Sequence, residues 1–191
     1  MTPRERMHHS SLPRFNRETA NCLLELPKND FGTEAVRRVA KERSLIEKDE
    51  LHITIIGSET GRELMQILDC LSEEERLQRF AALDALIQQT NWSFIETREY
   101  YYLKKEYAEP NPTTPGGTLH ETRESIIRMV GLQGLSQFYA SLNALFGTSF
   151  STPPAHITLF TNSTREDKKR RGIGLYSRDE FDSLQPERLL I

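Results

Sequence analysis

Short apolar runs alternate along this chain with longer segments in which apolar residues recur at helical spacing. The runs at 22–26 and 51–56 are short and stop at Pro27 and Gly57, which is typical of strands. Enrichment in aromatic and β-branched residues predicts further strands at 92–97, 100–107, 124–130, 155–161 and 172–176. We expect 92–97 and 100–107 to pair with each other.

Two of the helical segments carry start signals. Thr33 is a suitable N-cap for a helix in which Val36 and Ala40 share one face. Ser72 followed by Glu75 is the capping-box pattern, and it predicts a helix over 73–89. Further helical segments are expected at 63–71, at 133–146 before Gly147, and as turns at 165–171 and 178–184. This mixed order predicts an α+β or α/β protein.

Two segments lack a regular pattern. Residues 1–20 are polar and mildly basic and hold two prolines, so we expect a mobile tail or an arm along the surface. Residues 109–119 hold three prolines and two glycines, which predicts a long loop. Long loops in compact domains are often functional, so 109–118 is a candidate lid over a cleft.

The composition is that of a globular protein of one domain or two small lobes. Of 191 residues, 37% are apolar and 28% are charged, which excludes collagen-like, prion-like and wholly disordered chains. A net charge of −3 argues against a protein that coats nucleic acid by charge alone. It permits a locally basic cleft.

The pattern also predicts a cytoplasmic protein without a membrane partner. No stretch approaches the roughly 20 apolar residues of a membrane span, and the N-terminus lacks the apolar core of a secretory signal. Cys22 and Cys70 stand alone, without a Cys-x-x-Cys pattern. Isolated cysteines in apolar surroundings suit buried thiols in a reducing compartment.

One local pattern occurs twice and carries the candidate chemistry. Residues 51–56 read Leu-His-Ile-Thr-Ile-Ile, and residues 155–160 read Ala-His-Ile-Thr-Leu-Phe. Side chains alternate along a strand, so His52 and Thr54 share one face, and so do His156 and Thr158. Each strand therefore presents an imidazole beside a hydroxyl, with aliphatic residues behind.

The apolar flanks distinguish this pattern from a bare His-x-Thr. His120-Glu121-Thr122 also fits the shorter form, but it lies in polar surroundings next to the glycine-containing loop. A single strand histidine is most often a structural residue. Two copies of the longer pattern in two predicted strands would require two independent coincidences, so we assign the pair a functional role.

The duplicated motif resembles that of the two-histidine (2H) phosphoesterase superfamily, which includes 2′-5′ RNA ligase-like proteins and cyclic phosphodiesterases. The resemblance covers about residues 20–185. It implies an α+β fold in which two antiparallel sheets with pseudo-twofold symmetry flank a central cleft, with helices outside, so that 21–191 form one bilobal domain. It also implies that His52, Thr54, His156 and Thr158 line the cleft.

These residue types suit acid–base cleavage of a phosphodiester. Histidine titrates near pH 6.5, so a neutral ring can deprotonate the attacking hydroxyl while a protonated ring supplies the leaving oxygen with a proton. The threonine hydroxyls would donate to the non-bridging oxygens. We expect a monomeric, metal-independent phosphodiesterase that needs no cofactor. Its substrate would be a nucleotide or RNA end: a 2′,3′-cyclic phosphate, a 2′-5′ linkage or a cyclic oligonucleotide.

Three alternatives stay open. The same two histidines would serve ligation of RNA ends, and a non-catalytic relative would bind nucleotide or RNA in the same cleft. A zinc site would take His52, His156 and a carboxylate, but it would leave the threonines without a role because threonine is a poor zinc ligand. The sequence does not assign the base and the acid between the two histidines.

Secondary candidates surround the motifs. Tyr176 follows the second motif and would contact a phosphate or a base, although a core aromatic is the commoner case. Arg128 stands alone among apolar residues, as a strand-borne phosphate ligand would, and an edge position fits equally well. Residues 100–102, all tyrosine, are candidates for stacking on a base, and the basic run 168–171 for guiding a polyanion.

Overall fold

The structure is a computed structural model that describes residues 5–6, 12–27, 31–111 and 116–191, the first pair as backbone only. The helices are α1 (Glu34–Glu42), α2 (Ser58–Asp69), α3 (Glu73–Gln89), α4 (Leu135–Phe146) and α5 (Arg178–Ser183), with a 3-10 turn at Glu166–Lys168. The strands are β1 (Glu5–Arg6), β2 (Phe15–Asn16), β3 (Asn21–Leu26), β4 (Ile46–Glu47), β5 (Leu51–Ile56), β6 (Phe94–Pro110), β7 (Thr118–Leu132), β8 (His156–Ser163) and β9 (Glu187–Leu189).

The strands form one antiparallel sheet in the order β1-β6-β7-β8-β5-β3-β2, with β4 beside β8 and β9 beside β6. Strands β6 and β7 make a long hairpin, and β7 pairs with β8. On the other side, β5 pairs with β3. The group β6–β7–β8 and the group β3–β5 meet where Ile53 of β5 pairs with Ile157 of β8. The α+β class is therefore confirmed. We expected two antiparallel sheets, whereas the strands lie in one sheet, because the two motif strands pair with each other.

The two faces of the sheet are covered differently. Helices α1 to α4 pack their apolar faces on one side, and this layer holds the main core, which includes Ile53 and Ile157. On the other face a smaller apolar cluster lies beneath the 172–176 segment and α5; it consists of Leu103, Ile127, Met129, Ile173, Leu175 and Phe181. The remainder of that second face is where a cleft can form.

The predicted helix boundaries agree with the structure where a specific signal exists. Thr33 Oγ1 accepts a hydrogen bond from the Val36 amide at 3.2 Å, as an N-cap does. Ser72 and Glu75 make the reciprocal capping box of α3. Helix α4 ends at Gly147, whose φ of 67° lies in the left-handed region that glycine adopts without steric cost.

The aromatic segment 92–107 folds differently from the prediction. We expected two strands that pair with each other, whereas it forms the single strand β6, with a register shift between Glu96 and Tyr100, and pairs with β7. The residues between the two runs, Arg98 and Glu99, offer no turn signal, so the chain has no point at which to reverse. The expected loop at 109–119 is also shorter, since β6 extends to Pro110 and β7 begins at Thr118. Residues 112–115 lie outside the described residues.

The other differences concern short strands and the 172–176 segment. This segment pairs with none of the described strands, so the strand prediction is wrong there. Its Ile173 and Leu175 are buried in the small cluster, which explains the strand-like alternation. Strands β4 and β9, of 2 and 3 residues, are too short to show a periodicity.

Part of the segment expected to form a tail lies on the sheet. Backbone pairing joins β1 to β6 and β2 to β3. Phe15 and Ala20 are buried in the main core. Residues 12–20 are therefore packed against the domain, while 1–4 and 7–11 lie outside the described residues.

A membrane-crossing helix would need both length and apolar character, and no helix among the described residues has both.

Candidate functional site

The two motif strands lie side by side with matched positions opposite each other. Ile53 and Ile157 are the central residues of the two His-Ile-Thr triplets, and they pair across the antiparallel β5–β8 contact. A local twofold axis therefore passes between them and exchanges one motif with the other. Both isoleucines are fully buried in the main core. By alternation, the histidine and threonine of each motif point to the opposite face.

This opposite face is the floor of a cleft of about 610 Å³. All four motif side chains, His52, Thr54, His156 and Thr158, line it. The walls come from β3, from the residues before β5, from the first turns of α2, from β7 and from the 170–176 segment. The structure thus brings together the two histidines and two threonines that the sequence singled out, although they belong to distant parts of the chain.

His156 is buried and held in one orientation. Its Nδ1 lies 2.8 Å from the carbonyl oxygen of Pro154. A carbonyl oxygen only accepts, so Nδ1 carries the proton and Nε2 is the nitrogen left for chemistry. Burial lowers the pKa of His156, and the hydrogen bond to Pro154 opposes that effect only in part. The neutral ring therefore has its lone pair at Nε2.

His52 has a different environment. The pKa of His52 is lowered to about 4; burial is the largest cause, the charges of Lys48 and His156 act in the same direction, and Glu50 opposes them. The effect of His156 shows that a charge on that ring disfavours protonation of His52. Within the described part of the chain, the His52 ring has no hydrogen-bond partner. Its orientation is therefore less restricted than that of His156.

Positive charge surrounds the motif residues. Lys48, Arg62, Arg123, Arg170 and Arg171 line the cleft, and none of the described residues lining it is Asp or Glu. The whole chain carries a net charge of −3, so the local excess of cations belongs to this site. A cleft with this lining attracts an anion, and guanidinium groups match the oxygens of a phosphate.

Arg123 is tightly held among these cations. Its Nε and Nη2 donate to the Glu121 carboxylate at 2.6 and 2.9 Å, and the Tyr107 ring lies 4.3 Å from its guanidinium carbon. Glu121 also accepts from Ser163 Oγ at 2.8 Å and pairs with Lys168 at 3.4 Å. The hydrogen bond from Arg123 is the largest cause that lowers the pKa of Glu121 to about 2. Glu121 leaves Nη1 of Arg123 unoccupied.

Tyr176 also lines the cleft, where two glycines give it room. A Cβ on Gly57 would lie 2.6 Å from Tyr176 Cε1, and one on Gly174 would lie 2.9 Å from the hydroxyl oxygen. The Tyr176 amide donates to Glu180 at 2.7 Å, which fixes the backbone at this point. Gly57 is the N-cap of α2, so the tyrosine ring lies against the start of that helix.

Arg128 is not in the cleft. It pairs in register with Ile157, which points into the main core, so its side chain lies on the helix-covered face. The guanidinium pairs with Glu96 at 2.7 Å and donates to the carbonyls of Thr97 at 2.8 Å and Phe31 at 3.1 Å. In this position Arg128 satisfies buried backbone carbonyls rather than a ligand.

The other secondary candidates divide between the cleft and the interior. Lys168 is buried and pairs with Glu109 and Glu121, whereas Arg170 and Arg171 of the same basic run line the cleft. The three consecutive tyrosines do not line the cleft, since each contacts a residue elsewhere; the contacts are Tyr100 with Phe31, Tyr101 with Phe181 and Tyr102 with Glu124.

Three of the cleft cations were not predicted from the sequence; they are Lys48, Arg62 and Arg123. Arg62 follows the first motif and lies on α2. Other charged residues surround it in the sequence, so no pattern distinguishes it from a solvent-exposed helical residue. The Glu121-x-Arg123 spacing does place both side chains on one face of a strand. That face meets the cleft only because β7 lies next to β8.

No protein-family model, curated protein sequence or solved structure matches this chain. A search of the described residues found no group of three or more His, Cys, Asp or Glu side chains that could hold a metal ion.

Proposed function

We propose that this protein is a metal-independent phosphodiesterase in which His52 and His156 act as general acid and base. The observation that carries the proposal is the pairing of Ile53 with Ile157, which gathers both His-x-Thr motifs in one basic cleft. The substrate class is a nucleotide or RNA end with a 2′,3′-cyclic phosphate, a 2′-5′ linkage or a cyclic oligonucleotide linkage.

The reaction requires that the attacking hydroxyl lose a proton and that the leaving oxygen gain one. A neutral imidazole takes the proton of the attacking hydroxyl, whose oxygen forms a bond to phosphorus. An imidazolium on the other side gives its proton to the leaving oxygen as the second phosphorus–oxygen bond breaks. His156, with Nδ1–H held by the Pro154 carbonyl, presents Nε2 for either part. The roles exchange between the forward and reverse directions.

The developing charge on the non-bridging oxygens would be stabilised by the hydroxyls of Thr54 and Thr158 and by the guanidinium of Arg123. A donor that is already oriented costs no reorganisation during the reaction. Glu121 orients Arg123 through two hydrogen bonds and so acts as its positioning residue.

The proposal includes membership of the 2H phosphoesterase superfamily and its bilobal arrangement. One lobe would comprise β2, β3 and β5, the other β6, β7 and β8, with the cleft at their junction. The local twofold axis between Ile53 and Ile157 supports this division. The zinc alternative is less well supported, because the described cleft lining offers no carboxylate beside the two histidines.

The experiment is incubation of the purified chain with a substrate panel, read by mass spectrometry. The panel holds nucleoside 2′,3′-cyclic phosphates, 2′-5′-linked oligonucleotides, cyclic di- and trinucleotides, and RNA with a 3′-terminal cyclic phosphate. The control is the doubly substituted chain His52→Ala, His156→Ala, and each reaction is repeated with chelator. We expect turnover of at least one class that the control lacks and the chelator does not change. Turnover that needs added metal, or no turnover of any class, would contradict the proposal.

A further inference from the structure

A second cavity borders the cleft on the side of β2 and β3. Its volume is about 720 Å³, and it shares two lining residues, Asn21 and Leu23, with the cleft. We call it the β3 groove; its lining includes Arg14, Asn16, Asn21, Leu23, Glu25 and Gln88. The shared residues make the two cavities neighbours along one surface.

The strand register relates the groove to the proposed catalytic residues. Across the β3–β5 pair, Leu23 lies opposite Thr54 and Glu25 lies opposite His52. Residues opposite each other in a ladder share a face, so the groove continues the cleft floor. Neighbouring strands are about 4.8 Å apart, which puts the groove one to two strands, or about 5–10 Å, from the motif of β5. A nucleoside attached to a phosphate in the cleft reaches that far.

The lining chemistry of the two cavities differs. Among the described lining residues, the cleft holds five cationic side chains and no carboxylate, whereas the groove holds one cation, Arg14, and one carboxylate, Glu25. The groove is otherwise lined by amides and apolar groups; Asn16, Asn21, Gln88 and Leu23 are among them. Amides match the donor and acceptor edges of a base, and apolar groups match its face. A second phosphate would instead meet Glu25.

We propose that the β3 groove is a nucleobase subsite and that the preferred substrate is therefore an oligonucleotide rather than a mononucleotide. This inference rests on the proposed function. The cleft alone has the size of a site for one small ligand. The scissile phosphate and its own nucleoside occupy the cleft, and the base of the adjoining nucleotide occupies the groove.

The test compares two substrates with the same reacting group. Adenosine 2′,3′-cyclic phosphate fills the cleft only, and the adenosine dinucleotide ending in a 2′,3′-cyclic phosphate adds one nucleotide. For the unsubstituted chain we expect kcat/KM for the dinucleotide to be at least about tenfold higher, which is the size of one base contact. Equal values for the two substrates would overturn the subsite.

A matched pair of variants locates the effect. Gln88 and Gln89 are both exposed at the end of α3, and of these two residues only Gln88 lines the groove. Gln88→Trp fills the groove, so it should remove the dinucleotide advantage and leave the mononucleotide rate unchanged. Gln89→Trp should change neither. Arg14→Ala, which removes a cationic side chain from the groove lining, should reduce the advantage as well. Equal effects of the two tryptophan variants would overturn the proposal.

A binding measurement distinguishes failure of the subsite proposal from failure of the proposed activity. If neither substrate is cleaved, the proposed function fails for this substrate class, and calorimetry with the same two ligands then tests the subsite alone. Tighter binding of the dinucleotide that Gln88→Trp abolishes would support the subsite. Binding of both ligands with the same affinity would overturn it.

Discussion

The two halves of the cleft carry the same motif in different surroundings. In both, a histidine and a threonine flank a buried isoleucine, and the isoleucines pair with each other. The His156 ring is buried, and its Nδ1 is bound to the Pro154 carbonyl. The His52 ring is half-buried and lies within the influence of Lys48 and Glu50.

This difference shows how a symmetric sequence motif becomes an asymmetric pair of titrating groups. The repeat determines where the four side chains point, because alternation along a strand depends only on position. The environment then determines how each ring titrates, because burial and neighbouring charges act on each ring separately. The proposed mechanism uses the state in which one ring is protonated and the other is neutral, and the separate environments influence which ring carries the proton.

The largest expected effect follows from removing either ring. His52→Ala and His156→Ala should each lower kcat by about 10²–10⁴-fold, because each removes a proposed general acid or base. The double variant should be little worse than the worse single variant, since the two groups act as a unit. Single-turnover and steady-state rates on the substrate found in the panel measure this, with circular dichroism as the folding control. Near-normal turnover by either single variant would rule out the paired mechanism.

Two arginines on β7 sharpen the comparison between cleft and core. Arg128→Met should destabilise the fold by about 3–5 kcal/mol, because it removes the buried ion pair with Glu96 and the donor to the carbonyls of Thr97 and Phe31. Arg123→Met should cost less stability, because Glu121 keeps its contacts with Lys168 and Ser163. It should instead lower kcat/KM by about 10–100-fold through a lost charged donor. Urea unfolding and kinetics on both variants check this, and the reverse pattern would place Arg128, not Arg123, at the substrate.

Replacing the threonines tests whether the halves contribute equally to charge stabilisation. Thr54→Val and Thr158→Val keep the β-branched shape and remove one donor each, so each should cost about 1–3 kcal/mol of transition-state stabilisation. Thermal unfolding should change little, because both side chains face the cleft. Normal kcat/KM together with a large loss of stability would show that the threonines are structural.

The smallest effect is a displacement of the pH profile. Burial lowers the pKa of both rings, that of His52 to about 4. The pH dependence of kcat/KM reports the pKa values of the free enzyme. The bell-shaped profile of kcat/KM should therefore have its maximum below pH 6.5. Bound phosphodiester is negative and favours the imidazolium, so the alkaline limb of kcat should lie at higher pH. Lys48→Met removes a charge that lowers the His52 pKa and should move the kcat/KM maximum upward. A maximum well above pH 6.5 would contradict these environments.

Several elements could be predicted because their signals are local. The capping box at Ser72, the N-cap at Thr33 and the glycine that ends α4 each depend on a few neighbouring residues, and the structure confirms all three. The hairpin β6–β7 could not be predicted in the same way. Its register depends on partners distant along the chain, and two aromatic runs look alike whether they pair with each other or join into one strand.

The same limit applies to the candidate site. The repeated pattern is visible in the linear sequence without knowledge of strand pairing. It therefore pointed to His52, Thr54, His156 and Thr158 as candidates. The sequence pointed to Arg128 rather than Arg123, because Arg128 stands alone among apolar residues. Which face of β7 meets the cleft depends on its pairing with β8, which the sequence does not show.

The sequence by itself determined the pair of motifs, the face that each presents and several helix ends, because these follow from alternation and capping within a few residues. The tertiary structure decided that β5 lies beside β8, which cations reach the cleft and how far each histidine's pKa falls. Those properties depend on strand order, register and burial, and a strand's neighbours are chosen by the packing of the whole core.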